Sequence, residues 1–396
     1  MNLEALVGLE RARVYADRTP AGTLARSSSG VAFSYDQAYR GPPIATTLPV
    51  RAEAYVTGHG GAVLPFFAGL LPEGRRLTAL RRAIKTSADD DLSLLLGVGS
   101  NLVGHVRVLP EGAPLDDDGD EVAGAFGEVR FAELFSRVLA REPADRVGLP
   151  GVQDKVSGRM ISLPIRHRRA RWILKLNPPE FPHLVENEAF FLDAAQHSGL
   201  TVPYHEVVRD AIGAPGLLIQ RFDRRDDRRI PTEDGCQVAA RYPADKYRLT
   251  SEELVRCLAT VCGAPIVAAR DLLRQLVFAF LTCNGDAHAK NFSVVRSASG
   301  EWSVSPAYDL PSSHPYGDVS MALSVNGRLR EDIGRSDYLA LASASGVRER
   351  AAARVIDELL AALPSWLDRL DELPFDERRV HKLRRAIEYR ARRLEG

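Results

Sequence analysis

Cysteine is scarce in this chain, four in 396 residues, and Cys236, Cys257, Cys262 and Cys283 include no C-x-x-C pair and no histidine at zinc-binding spacing. That pattern points away from a disulfide framework or a zinc site and toward reduced, mostly buried thiols. An excess of one charge is also lacking. Lys plus Arg and Asp plus Glu are 52 each, so the summed field cannot draw the molecule onto nucleic acid or an anionic membrane, and a charged partner must be met by a local patch. No apolar run reaches the length of a signal-peptide core or a membrane span, which makes the cytoplasm the expected location and a membrane partner unexpected. The G-x-S-x-G elbow and the G-x-x-x-x-G-K-[ST] phosphate loop are both missing, and GVGSNLVG, from Gly97 to Gly104, does not match G-x-G-x-x-G. Hydrolase, zinc and dinucleotide readings therefore have little support.

What is present is an ordinary globular composition, 45% hydrophobic, over a length that accommodates two or three domains. Up to about residue 50, apolar runs such as ALVGL, ARVYA and VAFSY are separated by Gly, Pro and Ser, the pattern of small twisted strands. From Leu64 to Leu96 apolar residues recur at helical spacing, with Ser87 or an early Asp available as a cap. Residues 1–110 thus read as a β-then-α region. Residues 111–124 are acidic, Gly-rich and too poor in large apolar side chains to order themselves, so a linker is expected there. Its DDDGDE run lacks the alternating ligands and closing Glu of a calcium loop.

A helix around Phe131 to Ala140 precedes three strand patterns, GRMISLP, RWILKLN and GLLIQRF, with one helix near Glu188 to His197 among them. Residues 125–235 have the make-up of a small lobe covering a nucleotide. Residues 236–396 read as mainly helical. LLRQLVFAFL places Leu272, Leu273, Leu276, Val277 and Phe280 on one stripe that must be buried. The closing ERRVHKLRRAIEYRARR is a basic helix with Val380, Leu383, Ile387 and Leu394 inside, its charged side read as a solvated face before a nucleic-acid contact.

The most informative run is CNGDAHAKNFSVV, directly after the apolar helix, followed by SPAYDLPSS. Phosphoryl transfer needs an Asp that accepts the proton of the attacking hydroxyl and oxygen ligands that hold magnesium against the triphosphate. Asp286, Asn291 and Asp309 can supply these. FSVV and EWSVSPAYD read as a hairpin that returns Asp309 beside Asn291. Either motif alone reads better as a turn after a helix; both together, in this order, favour phosphotransfer.

Lys175, between Leu174 and Leu176, is the candidate cation for the phosphates, with an edge strand guarded by lysine as the alternative. GLPGVQDKVSGRM sets Gly151, Gln153, Lys155 and Gly158 in a turn whose backbone N–H groups can lie over phosphates. One of Glu186 and Glu188 can pair with Lys175, and the other suits an acidic first helical turn. Gln220, Arg221 and Phe222 can form a hinge whose backbone meets an adenine edge.

Taken together, PFFAGLLPEG, LPGVQDK, ILKLNPPEFPHLVENE, RFDR, EDGCQ, NGDAHAKNF and SPAYDL resemble, in order and over most of the chain, the HipA family of bacterial toxin kinases. The resemblance implies an α+β fold, two-lobed and protein-kinase-like, with a small β-rich N-terminal subdomain and a mainly helical C-terminal lobe. It implies ATP and Mg2+ as cofactors and phosphorylation of serine or threonine on a protein. By the same resemblance Asp286 is the catalytic aspartate and His288 and Lys290 complete the catalytic loop. Asn291 and Asp309 hold the metal, Lys175 contacts the ATP phosphates, and Leu149, Pro150, Gly151, Val152, Gln153, Asp154 and Lys155 form a mobile loop over them. Relatives pair with a small helix-turn-helix antitoxin of the HipB type that binds operator DNA, so DNA is an indirect partner. The best-known member phosphorylates glutamyl-tRNA synthetase, which makes that enzyme or another translation protein the expected substrate class. One departure is visible: the family's self-phosphorylated serine corresponds to Gly148, with Ser157 the nearest substitute. The competing readings are a small-molecule kinase of the antibiotic or choline type and a catalytically silent scaffold in an antitoxin–DNA complex.

Overall fold

The computed structural model describes residues 3–395 apart from 29, 58–61, 88, 100, 116–119, 122–124, 135–159, 168–169, 179, 227 and 331. The chain opens with β1 (Arg11–Ala16), β2 (Thr19–Ser27) and β3 (Gly30–Tyr35). Then come α1 (Pro65–Gly69), α2 (Gly74–Ile84), α3 (Asp91–Val98) and β4 (Val106–Leu109). The strands form an antiparallel sheet in the order β3-β2-β1-β4. Alternation fixes its register: Ala12, Val14, Leu24, Val31 and Phe33 are fully buried, and a slip of one residue would turn them all outward. Phe66, Phe67, Leu92 and Leu95 close the same core. The cap of α3 is Asp90, whose carboxylate accepts from the Ser93 N–H at 3.3 Å, an interaction worth about 1 kcal/mol.

The second sheet contains β5 (Asp120–Glu121), β6 (Ile161–His167), β7 (Ala170–Leu176), β8 (His205–Arg209) and β9 (Pro215–Gln220) in the order β5-β6-β7-β9-β8. Helix α4 (Leu184–His197) lies between β7 and β8. Two features depart from the sequence reading. β5 falls inside the expected linker, where the edge of β6 supplies parallel pairing that the acidic run could not supply for itself. β8 is a strand that the sequence reading passes over, because at the sheet edge HEVVR has no fully buried residue and so no apolar alternation. Residues 131–134 are helical, and the remainder of the helix expected around Phe131 to Ala140 lies outside the described residues.

A short ribbon of β10 (Arg224–Arg225) and β11 (Arg228–Arg229) leads to β12 (Thr232–Asp234) and α5 (Gly235–Val238). β12 pairs with β13 (Ser293–Arg296), which pairs with β14 (Trp302–Val304), the expected hairpin. Helices α6 (Ser251–Val261), α7 (Pro265–Leu281), α8 (Arg335–Ala344), α9 (Glu349–Leu367) and α10 (Glu377–Glu395) make up the rest. α7 runs through the largest core with Leu272, Leu273, Leu276, Val277 and Phe280 buried, each contributing roughly 1.5–3 kcal/mol by leaving water. The inner face of α10 is buried as its spacing requires. It also buries Arg390, which donates to the carbonyls of Phe280 at 2.8 Å and Val319 at 2.9 Å and so ties α10 to the end of α7. No helix among the described residues is long and apolar enough to cross a membrane.

Candidate active site

The site begins where α7 stops. Thr282 turns its hydroxyl back onto the Phe278 carbonyl, and Cys283 takes a left-handed backbone, φ 55°, so the chain reverses into the Asn284–Asn291 loop. Asn284 fastens both halves of the site: its Oδ1 accepts from the Asp286 N–H at 3.1 Å and its Nδ2 donates to the Asp309 carbonyl at 3.1 Å. Further along, the His288 N–H donates to Asn291 Oδ1 at 3.0 Å, and Asn291 Nδ2 donates to Asp309 Oδ2 at 2.6 Å. The hairpin of β13 and β14 makes this last contact possible across eighteen residues. Asp309 itself sits at φ 60°, a conformation that non-glycine residues keep only when their surroundings hold them there.

Lys175 reaches the same point from the other side. Successive residues of β7 face opposite ways: Leu174 and Leu176 pack into the sheet's apolar cluster, leaving Lys175 on the face covered by α4. Its Nζ lies 2.7 and 2.8 Å from the two Glu188 oxygens and 3.0 Å from Asp309 Oδ1. Of the two glutamates left open by the sequence, Glu188 is therefore the partner. Glu186 instead accepts from Asn177 at 3.2 Å in the first turn of α4. Burial opposes charge on Lys175, but Asp309 and Glu188 outweigh it and hold the ammonium above its ordinary range. Asp309 is held below its own, because Lys175 overcomes the cost of burial. Glu188, wholly buried and sharing one lysine with a second carboxylate, is pushed up by desolvation.

Asp286, only 3% exposed, accepts a hydrogen bond at 2.8 Å from the phenol of Tyr247. The Tyr247 ring stands edge-on to His288, centroids 5.2 Å apart. Burial first, and Lys246 second, push the His288 imidazole down to about 3, so it is neutral near pH 7. Lys290 belongs to the loop in sequence but its amine is turned elsewhere: it donates to Asp234 Oδ2 at 2.8 Å and to the Gly69 carbonyl at 3.0 Å. The geometry gives it the contacts of a strut between α1 and α5.

The proposed hinge is partly engaged. The N–H groups of Gln220 and Arg221 donate to the carbonyls of Tyr204 and Arg171 at 2.8 and 3.0 Å, so neither is available to a base edge without breaking strand pairing. The Arg221 side chain is buried against Asp223, and Phe222 packs its ring on Tyr308, centroids 5.5 Å apart. The phosphate-loop residues Leu149, Pro150, Gly151, Val152, Gln153, Asp154 and Lys155, together with Gly148, Ser157 and Gly158, lie outside the described residues.

Sequence reasoning missed Asn284, Tyr247 and Glu73. Asn284 is indistinguishable in sequence from a helix-terminating turn former. Tyr247 stands in DKYR, 39 residues before the carboxylate it touches, with no motif around it. Glu73 lies in the LLPEG run that supported the family resemblance, yet nothing in that run shows which group its carboxylate reaches.

Comparison with known proteins is consistent over most of the chain. The family model of the HipA-like C-terminal domain matches residues 147–367, and that of the HipA N-terminal domain matches residues 12–109. A candidate kinase of Sinorhizobium fredii, Y4mE, is 29% identical over 91% of this chain and 93% of its own length. The serine/threonine-protein kinase toxin HipA of Shewanella oneidensis is 26% identical over 74% of this chain and 72% of its own. A solved Shewanella oneidensis complex of HipA, HipB and operator DNA matches in fold with a TM-score of 0.80 at 21% identity, covering 97% of each chain. The two-lobed α+β architecture is thus that of a protein-kinase-like fold with an added N-terminal β-rich part.

Proposed function

This chain belongs to the HipA family, and from that membership we propose that it is an ATP-dependent serine/threonine protein kinase acting as the toxin of a toxin–antitoxin pair. The observation that carries the reading is the meeting of Lys175, Glu188, Asn291 and Asp309 at one point, each within 3.0 Å of a neighbour. A lysine paired with a helix glutamate beside an Asn–Asp pair is the arrangement that kinase chemistry uses to grip a triphosphate.

Asp309 offers carboxylate oxygens and Asn291 an amide oxygen, the ligands that suit a hard divalent cation. In the structure Asn291 turns Nδ2 to Asp309 and Oδ1 to the His288 N–H, so holding a cation between them requires its amide to turn over. Among the described residues no group of three or more His, Cys, Asp or Glu side chains gathers into a metal site. Magnesium would therefore rest on Asn291, Asp309 and phosphate oxygens, as it commonly does beside nucleotides. When bound with ATP it supplies neutralising charge at the β and γ phosphates. Lys175 orients the phosphates, Glu188 holds Lys175 in place, and Asp286 accepts the proton of the attacking serine or threonine hydroxyl. His288, an uncharged imidazole near pH 7 and packed on Tyr247, supports the loop. The role of residues 149–155 in covering the phosphates rests on the family resemblance alone, and Gln220 to Phe222 border the base in this reading, with the two strand-paired N–H groups excluded as its donors.

The expected partner is a small helix-turn-helix antitoxin of the HipB type, since a HipA of the same fold has been solved with HipB and operator DNA. The expected acceptor is a hydroxyl on a cellular protein of the translation machinery. The test is Asp286→Asn. It should keep the thermal transition and the melting shift produced by ATP with magnesium, while label transfer from ATP into lysate protein and growth arrest on induction are both lost. Transfer at the wild-type rate by this variant ends the proposal.

A further inference from the structure

Glu73 occupies the N-cap position of α2, but its side chain makes no cap hydrogen bond there. The carboxylate crosses instead to the helical part of the molecule. One oxygen hydrogen-bonds Lys246 Nζ, and the other lies 3.6 Å from Lys290 Nζ. Burial alone would raise this carboxyl, yet Lys290 and Lys246 together hold it below its ordinary range. A single acid of the amino-terminal region therefore bridges one lysine packed beside the catalytic loop, Lys246, and one within it, Lys290.

Each lysine leads directly to that loop. Lys246 precedes Tyr247, whose phenol donates to Asp286 at 2.8 Å, and the Lys246 carbonyl accepts from the Ala289 N–H at 3.1 Å. Lys290 precedes Asn291 and is also held by Asp234 and by the Gly69 carbonyl at the end of α1. The attachment to α1 is close: a Cβ on Gly69 would stand 2.6 Å from the Gln237 side chain, and Gln237 Nε2 donates to the Phe66 carbonyl at 2.9 Å. α1 and α2 are thus fastened to both ends of the Asp286–Asn291 loop.

We infer that Glu73 is a positioning residue for phosphoryl transfer: by holding Lys246 and Lys290 on one carboxylate it sets Tyr247 against Asp286 and fixes the loop between Asp286 and Asn291. This inference rests on the kinase reading. It gives the amino-terminal region a direct part in the geometry of the transfer step. Displacement of a catalytic group by about 1 Å is enough to lower a rate severalfold to a hundredfold, and a contact used to aim the base affects turnover more than nucleotide binding.

The experiment uses the full chain, with γ-labelled ATP and the lysate protein that the wild-type enzyme labels. Glu73→Gln should lower the maximal transfer rate about tenfold while changing the KM for ATP by less than about twofold. Glu73→Asp should recover part of the rate. Tyr247→Phe should show the same split, and the double variant should lose little more than either single one, because both act through Asp286. Thr46→Val removes the hydroxyl that donates to Glu233 at 2.8 Å, a different contact between the amino-terminal region and the rest of the chain, and should lower the melting temperature and leave the maximal rate unchanged. A wild-type rate in Glu73→Gln, full multiplicativity with Tyr247→Phe, or an equal rate loss in Thr46→Val overturns the inference. Retained transfer in Asp286→Asn overturns the kinase reading itself, whereas its loss beside an unaffected Glu73→Gln removes only the role given to Glu73.

Discussion

Lys175 and Asp309 stand 134 residues apart in sequence and 3.0 Å apart in space, and Glu188 shares the same ammonium at 2.7 Å. One cation thus serves two buried carboxylates, which makes the lysine the most exposed point of failure in the site's energetics.

Replacing Lys175 by Met should therefore cost more than a surface ion pair. Its side chain is 11% exposed and that of Glu188 0%, and removing one partner of such a pair typically costs about 3–5 kcal/mol. Urea unfolding should show that loss for Lys175→Met. Adding Glu188→Gln should return part of it, because one of the two stranded carboxylates is then gone while Asp309 remains. If the double variant is no more stable than the single one, the cost is not that of an unpaired carboxylate.

Asp309 separates backbone demands from chemistry. At φ 60° it occupies a region that Asn tolerates and β-branched residues do not. Asp309→Asn turns one of the two oxygens that accept from Lys175 and Asn291 into a donor and should cost about 1–3 kcal/mol, whereas Asp309→Val should lose a further 1–3 kcal/mol, roughly the strain expected of such a backbone. In the Asn variant the magnesium-dependent part of the ATP-induced rise in melting temperature should vanish. A Val variant as stable as the Asn one would show that the backbone here is under no constraint.

Why the site was partly legible follows from the distance over which each residue acts. Asp286 and Asn291 share one loop, Asp309 follows a hairpin whose strands are readable from their apolar pattern, and Lys175 is a charge between two leucines of a strand. These signals are local. The bond from Tyr247 to Asp286 and the reach of Glu73 to Lys246 are tertiary facts, since neither residue type nor spacing marks them. Lys290 has its place in the catalytic loop from the family resemblance and from no local signal, and its side chain runs to Asp234 and Gly69. The fold shows the same division. α7 and α10 were evident from complete apolar stripes, while β8, half-exposed at a sheet edge, and β5, formed only by pairing with β6, carry no pattern of their own.

Glu233 predicts a pH dependence of stability. It is 1% exposed, and both its oxygens meet Thr46, the N–H and the hydroxyl each at 2.8 Å. Burial raises its pKa to about 7, the Thr46 bonds oppose that rise, and Asp234 adds to it. A carboxyl whose pKa is raised on folding binds its proton more tightly in the folded state. Stability is therefore greatest below its ordinary value and falls as pH rises through the folded value near 7. Glu233→Gln reproduces the neutral acid, whose N–H can donate to the Thr46 hydroxyl. It should unfold like wild type at pH 4, below the ordinary glutamate value, and be more stable than wild type by roughly 1–3 kcal/mol at pH 8. Equal stabilities of the two proteins at pH 8 would mean that Glu233 is not carrying a desolvation penalty.

Asp223 links the hinge to the amino-terminal region, and its removal should register in both stability and nucleotide affinity. Its carboxylate accepts from Arg221 at 2.7 and 2.9 Å, from Arg224 at 2.8 Å and from the Gly104 N–H at 2.8 Å. Arg221 and Arg224 reach on to the Leu102 carbonyl. Gly104 is itself constrained, at φ +76° with the Thr232 carbonyl 3.0 Å from where a Cβ would stand. Burial opposes ionisation, but Arg221 and Arg224 hold Asp223 far below the usual carboxylate range. With the folded pKa depressed, its contribution is complete above the ordinary carboxyl value and is lost only as pH falls toward the folded one. Asp223→Ala leaves two buried guanidinium groups without their anion, a loss of about 3–5 kcal/mol at neutral pH. Arg221 adjoins Phe222 at the border of the proposed base site, so the KM for ATP should rise while the maximal rate changes less, the opposite split from that expected of Glu73→Gln. A drop in maximal rate at unchanged KM would place Asp223 with the catalytic loop and not with the hinge.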